Sequence, residues 1–248
     1  MKKSSNKFDL LIFFKFFLKY FLNTILKKKI NNNYEDVWKN KSSKDVLEVY
    51  WNKKNHTVLL SPLIETINKN NIKNILEIGC AAGGILKIIS LNCKKVENIY
   101  GTDFNKNFIS FGKECCKKEE IHNISLFNED IDSEKIFKLI NGKKIDLILT
   151  KFTMSQLNNA EPKIDQIFRL INKVNPTFLY FGEIFDFNNK VQIFKSIHQN
   201  AYPDRIILNY NYFKTNLINY DFKLLKENYN NCAIKFSQIM CKKFKDTE

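Results

Sequence analysis

Arginine is almost missing from this chain: Arg169 and Arg205 stand alone among 40 basic residues, and the rest are lysine. The formal charge of +14 would ordinarily point to nucleic acid or an anionic membrane surface. With Asn, Ile and Phe so abundant beside the lysines, much of that charge reads instead as solvated lysine surface. The six cysteines, Cys80, Cys93, Cys115, Cys116, Cys232 and Cys241, form no C-x-x-C pair and no metal-ligand spacing. That speaks against a structural zinc, leaves the metal expectation at none, and fits a reducing cytosol. Internal repeats and low-complexity linkers are also missing. Glycine is scarce, at seven residues, yet three of the seven, Gly79, Gly83 and Gly84, crowd into one short stretch. Something must approach the backbone closely there.

What is present is enough for one large α/β domain with a short appendage, since 248 residues at 44% hydrophobic content can bury a sizeable core. The apolar run Asn74 to Glu77 reads as a buried parallel strand, Gly79 to Gly84 as a tight turn, and Ile85 to Ile89 as the start of a helix. Such a turn, with the free N–H groups and positive dipole end of the helix behind it, is expected to receive an anionic or carboxylate-bearing small molecule. Two parses compete. Gly79-x-Ala81-x-x-Gly84 is a degenerate dinucleotide fingerprint. Glu77-x-Gly79-x-Ala81-x-Gly83 resembles the first motif of class I S-adenosylmethionine-dependent methyltransferases, with alanine where the middle glycine usually stands. The acid two residues before the first glycine, and the long chain preceding the motif, favour the second parse.

The following segments keep the same register. Glu97 to Asp103 reads as a second strand ending in an acid, and a carboxylate there can accept both hydroxyl protons of a ribose. A helix is expected across Lys106 to Lys118, then strands at Ile124 to Phe127, Ile145 to Thr150 and Thr177 to Glu183, with a helix from Pro162 to Lys173 before the last. Phe185 to Tyr212 reads as irregular. Two final strands, Phe222 to Glu227 and Ala233 to Cys241, would make the terminal antiparallel hairpin that this methyltransferase sheet requires, where a dinucleotide enzyme would more often continue βαβ. The fold class expected is therefore α/β, a Rossmann-like class I methyltransferase sheet of seven strands with helices on both faces. Its units are 1–30, 31–73 and 74–248, and the resemblance spans roughly residues 45 to 245.

The resemblance implies a cofactor, S-adenosylmethionine, and a pocket of Glu77, Gly79, Cys80, Ala81, Gly83, Asp103, Phe104, Asp130, Ile131 and Thr150. Asp130, with Glu129 as fallback, matches the acid that accepts from the adenine amino group, and Ile131 follows it. Gln156 stands where many small-molecule methyltransferases carry a histidine, and an amide cannot transfer protons in the working range. Weak base candidates are His56, Glu183, His198 and Asp204, among which the sequence does not choose. Tyr50, Trp51 and His56, in the helical lead-in, could face the site as a lid or could simply be core and surface. The Asn/Asp-Pro-Pro-aromatic motif of nucleic-acid amino-methylating enzymes is absent after the fourth strand, where the chain reads Thr150-Lys151-Phe152-Thr153, so nucleic acid is disfavoured.

The first thirty residues differ from everything after them. From Phe8 to Leu26 nearly every residue is apolar or aromatic, bracketed by Lys2, Lys3 and Lys7 and by Lys27 to Lys29. Asp9, Lys15, Lys19, Asn23 and Lys27 share one sector of a helix, roughly 120° wide. In a bilayer span, apolar residues at roughly −0.3 to −0.6 kcal/mol each would be nearly cancelled by Lys15 and Lys19 at roughly +2.5 to +3.5 kcal/mol each. Lying in the interface avoids that cost, so residues 8–26 are expected to make a peripheral membrane contact at the cytoplasmic face. A helix packed on the protein or a partner, and a span or uncleaved signal, are the alternatives. The functional expectation is O-methylation of a small molecule or glycan precursor, with Tyr202, Tyr210, Tyr212, Phe213 and Tyr220 offering flat faces to a sugar. Against it stand RNA, lipid or quinone methylation, a nicotinamide-dependent enzyme, and a non-catalytic cofactor-fold membrane partner.

Overall fold

The structure is a computed structural model that describes residues 42, 44–52, 56–130, 134–140, 142–154, 160–186, 208–229 and 235–244. The helix expected over residues 8–26 lies outside them, as do Ile131, Gln156, His198, Tyr202 and Asp204. In chain order the elements are α1 (Lys44–Trp51), α2 (His56–Lys69), β1 (Asn74–Ile78), α3 (Gly84–Asn92), β2 (Asn98–Asp103), α4 (Lys106–Lys118), β3 (Ile124–Asn128), α5 (Glu134–Ile140), β4 (Leu147–Lys151), α6 (Ala160–Val174) and β5 (Phe178–Asp186), followed by β6 (Leu208–Asn209), α7 (Tyr210–Asn219), β7 (Phe222–Tyr229) and β8 (Lys235–Lys243).

The strands form one sheet in the order β3-β2-β1-β4-β5-β8-β7. β1 to β5 are parallel, β8 is antiparallel to β5, and β7 is antiparallel to β8. The expected seven strands and terminal hairpin are there. An additional two-residue strand, β6, pairs in parallel with Phe185 and Asp186 at the end of β5. It is too short to carry an alternating pattern of its own.

Parallel strands covered on both faces must be apolar at successive positions, and these are. Ile75, Leu147, Leu149, Phe178 and Tyr180 point into a core shared with α1 to α4. Leu76, Ile78, Ile148, Leu179 and Phe181 point the other way, into a core with α5, α6 and α7. The alternation explains why the central strands β1 and β4 are buried at successive positions, whereas β3, at the sheet edge, alternates between buried and exposed residues. Burial of each such side chain contributes about 1.5–3 kcal/mol. Leu47, Trp51, Leu60, Leu63 and Ile67 belong to the first of these cores, so the lead-in helices are part of the same packed body.

Two expectations change here. The stretch read as irregular ends in helix α7, whose Tyr210, Phe213 and Leu217 are buried. Phe213 packs edge-on against Phe181 at 4.7 Å, Tyr220 stacks on Phe168 at 5.4 Å, and the Tyr212 hydroxyl donates to Asp165 Oδ1 at 2.6 Å. Tyr210, Tyr212, Phe213 and Tyr220 are thus engaged in contacts within the protein, while Tyr202 lies outside the described residues. The lead-in aromatics likewise turn to the helices rather than over the cleft. Tyr50 meets Phe108 edge-on at 5.0 Å, while Trp51 Nε1 donates to Glu119 Oε1 at 2.6 Å beneath Lys87, whose Nζ lies 4.7 Å from the Trp51 ring centroid. Lys87 closes the clasp by pairing with Glu119 Oε2 at 2.6 Å, which helps hold the Glu119 carboxyl below its ordinary value against the burial that pushes it up. Of His56, only the backbone at the start of α2 is described.

The clasp brings the carboxyl end of α1 onto the amino end of α3. A Cβ added to Gly84 would collide with the carbonyl oxygen of Tyr50 and lie 2.9 Å from that of Trp51. These are backbone atoms at a helix end and cannot step aside without undocking α1. Gly84→Ala should therefore cost about 1–3 kcal/mol of stability as an overpacking substitution, read as a lower midpoint in urea unfolding; an unchanged midpoint would mean that α1 does not dock there.

Candidate functional site

The sheet order reverses between β1 and β4, and ligands of open α/β sheets bind outside the carboxyl ends of the strands at such a point. At the end of β1 the chain turns sharply, with positive φ at Gly79 (72°), Ala81 (49°) and Gly83 (88°). The turn is held from inside: the N–H groups of Gly79 and Cys80 both donate to the Thr102 carbonyl, at 2.8 and 2.9 Å, and that of Gly83 to the Cys80 carbonyl at 2.9 Å. The Ala81 N–H donates to Asp103 Oδ2 at 2.8 Å. These donors of the turn are therefore engaged by the protein itself, and the amino end of α3 sits close to carbonyls of α1. Ala81, standing at a left-handed position, carries a strain of about 1–2 kcal/mol that glycine would not.

Asp103 is the centre of the next turn. Its Oδ1 accepts from the Asn105 N–H at 2.9 Å, and Asn105 in turn caps α4, its side-chain oxygen accepting from the N–H groups of Asn107 and Phe108 at 2.8 and 3.2 Å. The Asn128 side-chain amide, from the end of β3, donates to the carbonyls of Asp103 and Phe104 at 3.1 and 2.8 Å. Strand ends, turns and cap are thus tied into one rim. Burial pushes the Asp103 carboxyl up to about 6; the Asn105 and Ala81 N–H groups pull against it, and the neighbouring Asp130 carboxylate adds to it. Asp103 is half-buried, and each of its oxygens keeps a second lone pair. Asp130 is exposed, Glu129 half-buried and 4.0 Å from Lys135, so the rim at β2 and β3 is acidic.

At β4 the side chains point inward. Thr150 is fully buried and its hydroxyl donates to Glu183 Oε1 at 3.1 Å. Glu183, from β5, is also fully buried, and the same oxygen accepts from the N–H groups of Thr153 and Met154 at 2.9 and 3.2 Å. Burial, with Glu183 and Glu77 nearby, raises the Tyr180 phenol well above its ordinary value. The Thr153 hydroxyl crosses to β1, donating to the Ile78 carbonyl at 3.0 Å. A Cβ at Gly79 would strike the Thr153 side chain, so that glycine makes room for the protein's own chain.

Of the expected pocket residues, Gly79, Ala81, Gly83, Asp103, Phe104 and Asp130 come together at this rim. Glu77 is 1% exposed beneath the turn, Cys80 buries its thiol and spends its N–H on Thr102, and the Thr150 side chain faces Glu183, so none of these three offers a side chain to the cleft. A side chain at Gly83 would meet Leu126 and Trp51 at 3.4 and 3.7 Å, ordinary contact, and its φ of 88° by itself favours glycine. Glu183 as a base is corrected too, because its carboxylate is buried and holds the turn after β4. Sequence reading missed Thr153, Asn105 and Asn128. Only Asn105 left a signal, a capping residue between a strand end and a helix. Among the described residues, no cluster of three or more His, Cys, Asp or Glu could hold a metal ion.

This order, with a parallel sheet ending in an antiparallel hairpin and an acidic rim at the switch point, defines the class I fold of S-adenosylmethionine-dependent methyltransferases. The methyltransferase-domain family matches residues 69–234, and the chain belongs to that family. Solved structures agree on the fold. An O-methyltransferase family protein from Burkholderia thailandensis superposes with a TM-score of 0.65 at 7% identity, covering 94% of this chain and 72% of that one. Magnesium protoporphyrin IX methyltransferase from Synechocystis PCC 6803, with bound S-adenosylhomocysteine, gives 0.59 at 10% identity over 93% of this chain and 100% of that one. The [4+2]-cyclase SpnF gives 0.55 at 11% identity, covering 75% of this chain and 80% of that one, so the fold also serves other chemistry. A curated relative, the CRISPR-associated endoribonuclease Cas13a of Leptotrichia wadei, is 26% identical over 217 residues, 79% of this chain; the chain spans 16% of that protein, too little to transfer any role.

The raised Asp103 carboxyl sets a pH dependence. The folded protein keeps this proton up to about pH 6 whereas the unfolded chain releases it near the ordinary 3.8, so the group's contribution to stability is full below 3.8 and lost as pH rises through about 6. Asp103→Asn should remove that loss, so its stability relative to the parent should rise between those two values. Denaturant unfolding at a series of pH values reads this directly, and parallel curves for the two proteins would contradict the burial of the carboxylate.

Proposed function

We propose that this methyltransferase-domain protein binds S-adenosylmethionine at the rim formed by β1, β2 and β3 and methylates an oxygen of a small-molecule acceptor. The observation that carries the cofactor reading is Asp103: a half-buried carboxylate at the end of β2, fixed by two backbone donors and still able to accept two more hydrogen bonds. Ribose hydroxyls are the donors that fit it. Asp130 and the segment after it would meet the adenine, and Ala81 and Gly83 would shape the floor. The acidic rim suits a ligand that carries sulfonium and ammonium charge. When bound, the cofactor supplies an electrophilic methyl group, and the protein's share is orientation and exclusion of water.

Two features support a small acceptor. The two methyltransferase neighbours above are an O-methyltransferase family protein and an enzyme named for a porphyrin. The turn after β4 carries no amino-methylating motif for a flipped base. A glycan precursor stays within the small-acceptor class, although α7 removes the aromatic stacking that first suggested it. No helix among the described residues is long and apolar enough to cross a membrane. In our reading residues 8–26 would hold the enzyme at the cytoplasmic membrane face.

Isothermal calorimetry with S-adenosylhomocysteine tests the cofactor reading. Asp103→Ala should weaken binding by about 1.5–3 kcal/mol, the range for hydrogen bonds to a charged acceptor. The parent's affinity should also fall as pH drops through about 6, because a protonated carboxyl accepts fewer donors. This is opposite in sign to the effect of the same group on stability. Equal affinity of variant and parent would remove Asp103 from the site. For the membrane contact, full-length protein should sediment with anionic vesicles at low salt and protein lacking residues 1–30 should not; sedimentation of both would sink that assignment.

A further inference from the structure

Glu183 lies at the carboxyl end of β5, next to the crevice, and its carboxylate does not face that crevice. Oε1 gathers three donors: the Thr150 hydroxyl at 3.1 Å, the Thr153 N–H at 2.9 Å and the Met154 N–H at 3.2 Å. The chain between those donors is bent. Phe152 adopts φ 56°, a left-handed conformation that a bulky residue rarely takes, and its N–H is held by the Gly182 carbonyl at 2.9 Å. A backbone in that state persists only where its surroundings over-determine it. Here Glu183 and Gly182 do so from β5, on one side. From the other side Thr153 reaches across to β1, its hydroxyl on the Ile78 carbonyl at 3.0 Å and its hydroxyl and methyl together filling the space that a Gly79 side chain would need.

We infer that Glu183 is a positioning residue of the cofactor crevice, acting through Thr153 on the Gly79 turn, and not a base in the reaction. The inference rests on the cofactor reading proposed above. The carboxyl ends of β1 and β4 are the two lips of the switch-point crevice. Thr153 is the side chain that spans them, and Glu183 fixes where Thr153 stands. Three donors converging on one buried oxygen set the turn far more rigidly than a single contact, and loss of the acceptor would leave buried N–H groups unpaired. The pocket floor is thereby formed before any ligand arrives, which lowers the ordering cost of binding.

The test uses full-length protein and four variants, Thr153→Val, Thr153→Ser, Glu183→Gln and Glu183→Leu, with S-adenosylhomocysteine as probe. Two readouts are taken: calorimetric affinity, and amide hydrogen exchange of Gly79 and Cys80 compared with amides in the middle of β2 and β5. Thr153→Val keeps the shape and deletes the donor, so affinity should fall about two- to tenfold, the worth of one neutral hydrogen bond. Exchange at Gly79 and Cys80 should quicken while mid-strand amides hold. Thr153→Ser should restore both. Glu183→Gln, still able to accept through its amide oxygen, should show a partial version of the same pattern; Glu183→Leu, if it folds, should show the full one. Parent-like affinity and exchange in Thr153→Val would overturn the inference. Uniform acceleration of all amides in Glu183→Gln would also overturn it, since that marks a purely structural role. If the parent itself fails to bind, the cofactor reading falls, and the exchange pattern alone then decides whether the clasp exists.

Discussion

The turn between β1 and α3 is squeezed from three directions, and much of the rest of the structure follows from that crowding. Thr153 presses on Gly79 from the turn after β4, the carbonyls of Tyr50 and Trp51 press on Gly84 from α1, and α4 comes so close that a side chain at Gly112 would strike the Ala82 carbonyl. Of its seven glycines, Gly79, Gly84, Gly101 and Gly112 stand where a Cβ would strike a neighbouring segment, whereas Gly142 faces open space. The stretch that reads as a cradle for a ligand is first a junction of four elements, with the Ala81–Asp103 contact at its edge.

That division explains what was legible in the sequence. The strands could be read because burial on both faces leaves short runs rich in apolar residues, as with Ile75, Leu76 and Ile78 or Leu147, Ile148 and Leu149. The acids at the strand ends could be read because Glu77, Asp103 and Asp130 recur in register with those strands. The role of Gly84 could not, since its partner is backbone more than thirty positions earlier in the chain and no local pattern announces it. Glu183 was visible as an acid at a strand end, yet whether such a group faces the cleft or the core depends on three donors from a turn thirty residues away. Helix α7 was hidden for a different reason: Tyr210, Phe213 and Leu217 give one buried stripe, but asparagines and tyrosines around it lower its helical propensity, and packing on Phe168 and Phe181 overrides that.

Charge is distributed unevenly along the strand axis. The carboxyl-end rim collects Asp103, Glu129 and Asp130, whereas exposed lysines such as Lys94, Lys95, Lys143 and Lys144 lie in the loops that lead into the amino ends of β2 and β4. A chain of net charge +14 thus presents an acidic edge where a cationic ligand would enter. Burial raises the carboxyl at its centre to about 6, so below that pH ligand binding and folding stability make opposite demands on the same proton. A stability cost tolerated at the position that would contact the ribose is the pattern expected of a functional group rather than a structural one.

The central claim is that the rim at Ala81, Asp103 and Asp130 is a site for S-adenosylmethionine. It is tested most directly by recording amide exchange across residues 79–84 and 103–130 while titrating the full-length protein in parallel with S-adenosylhomocysteine and with NAD. The account predicts saturable protection at Ala81 and around Asp103 to Asn105 with S-adenosylhomocysteine and none with NAD. Protection by NAD alone, or by neither ligand with an otherwise native exchange pattern, would contradict it.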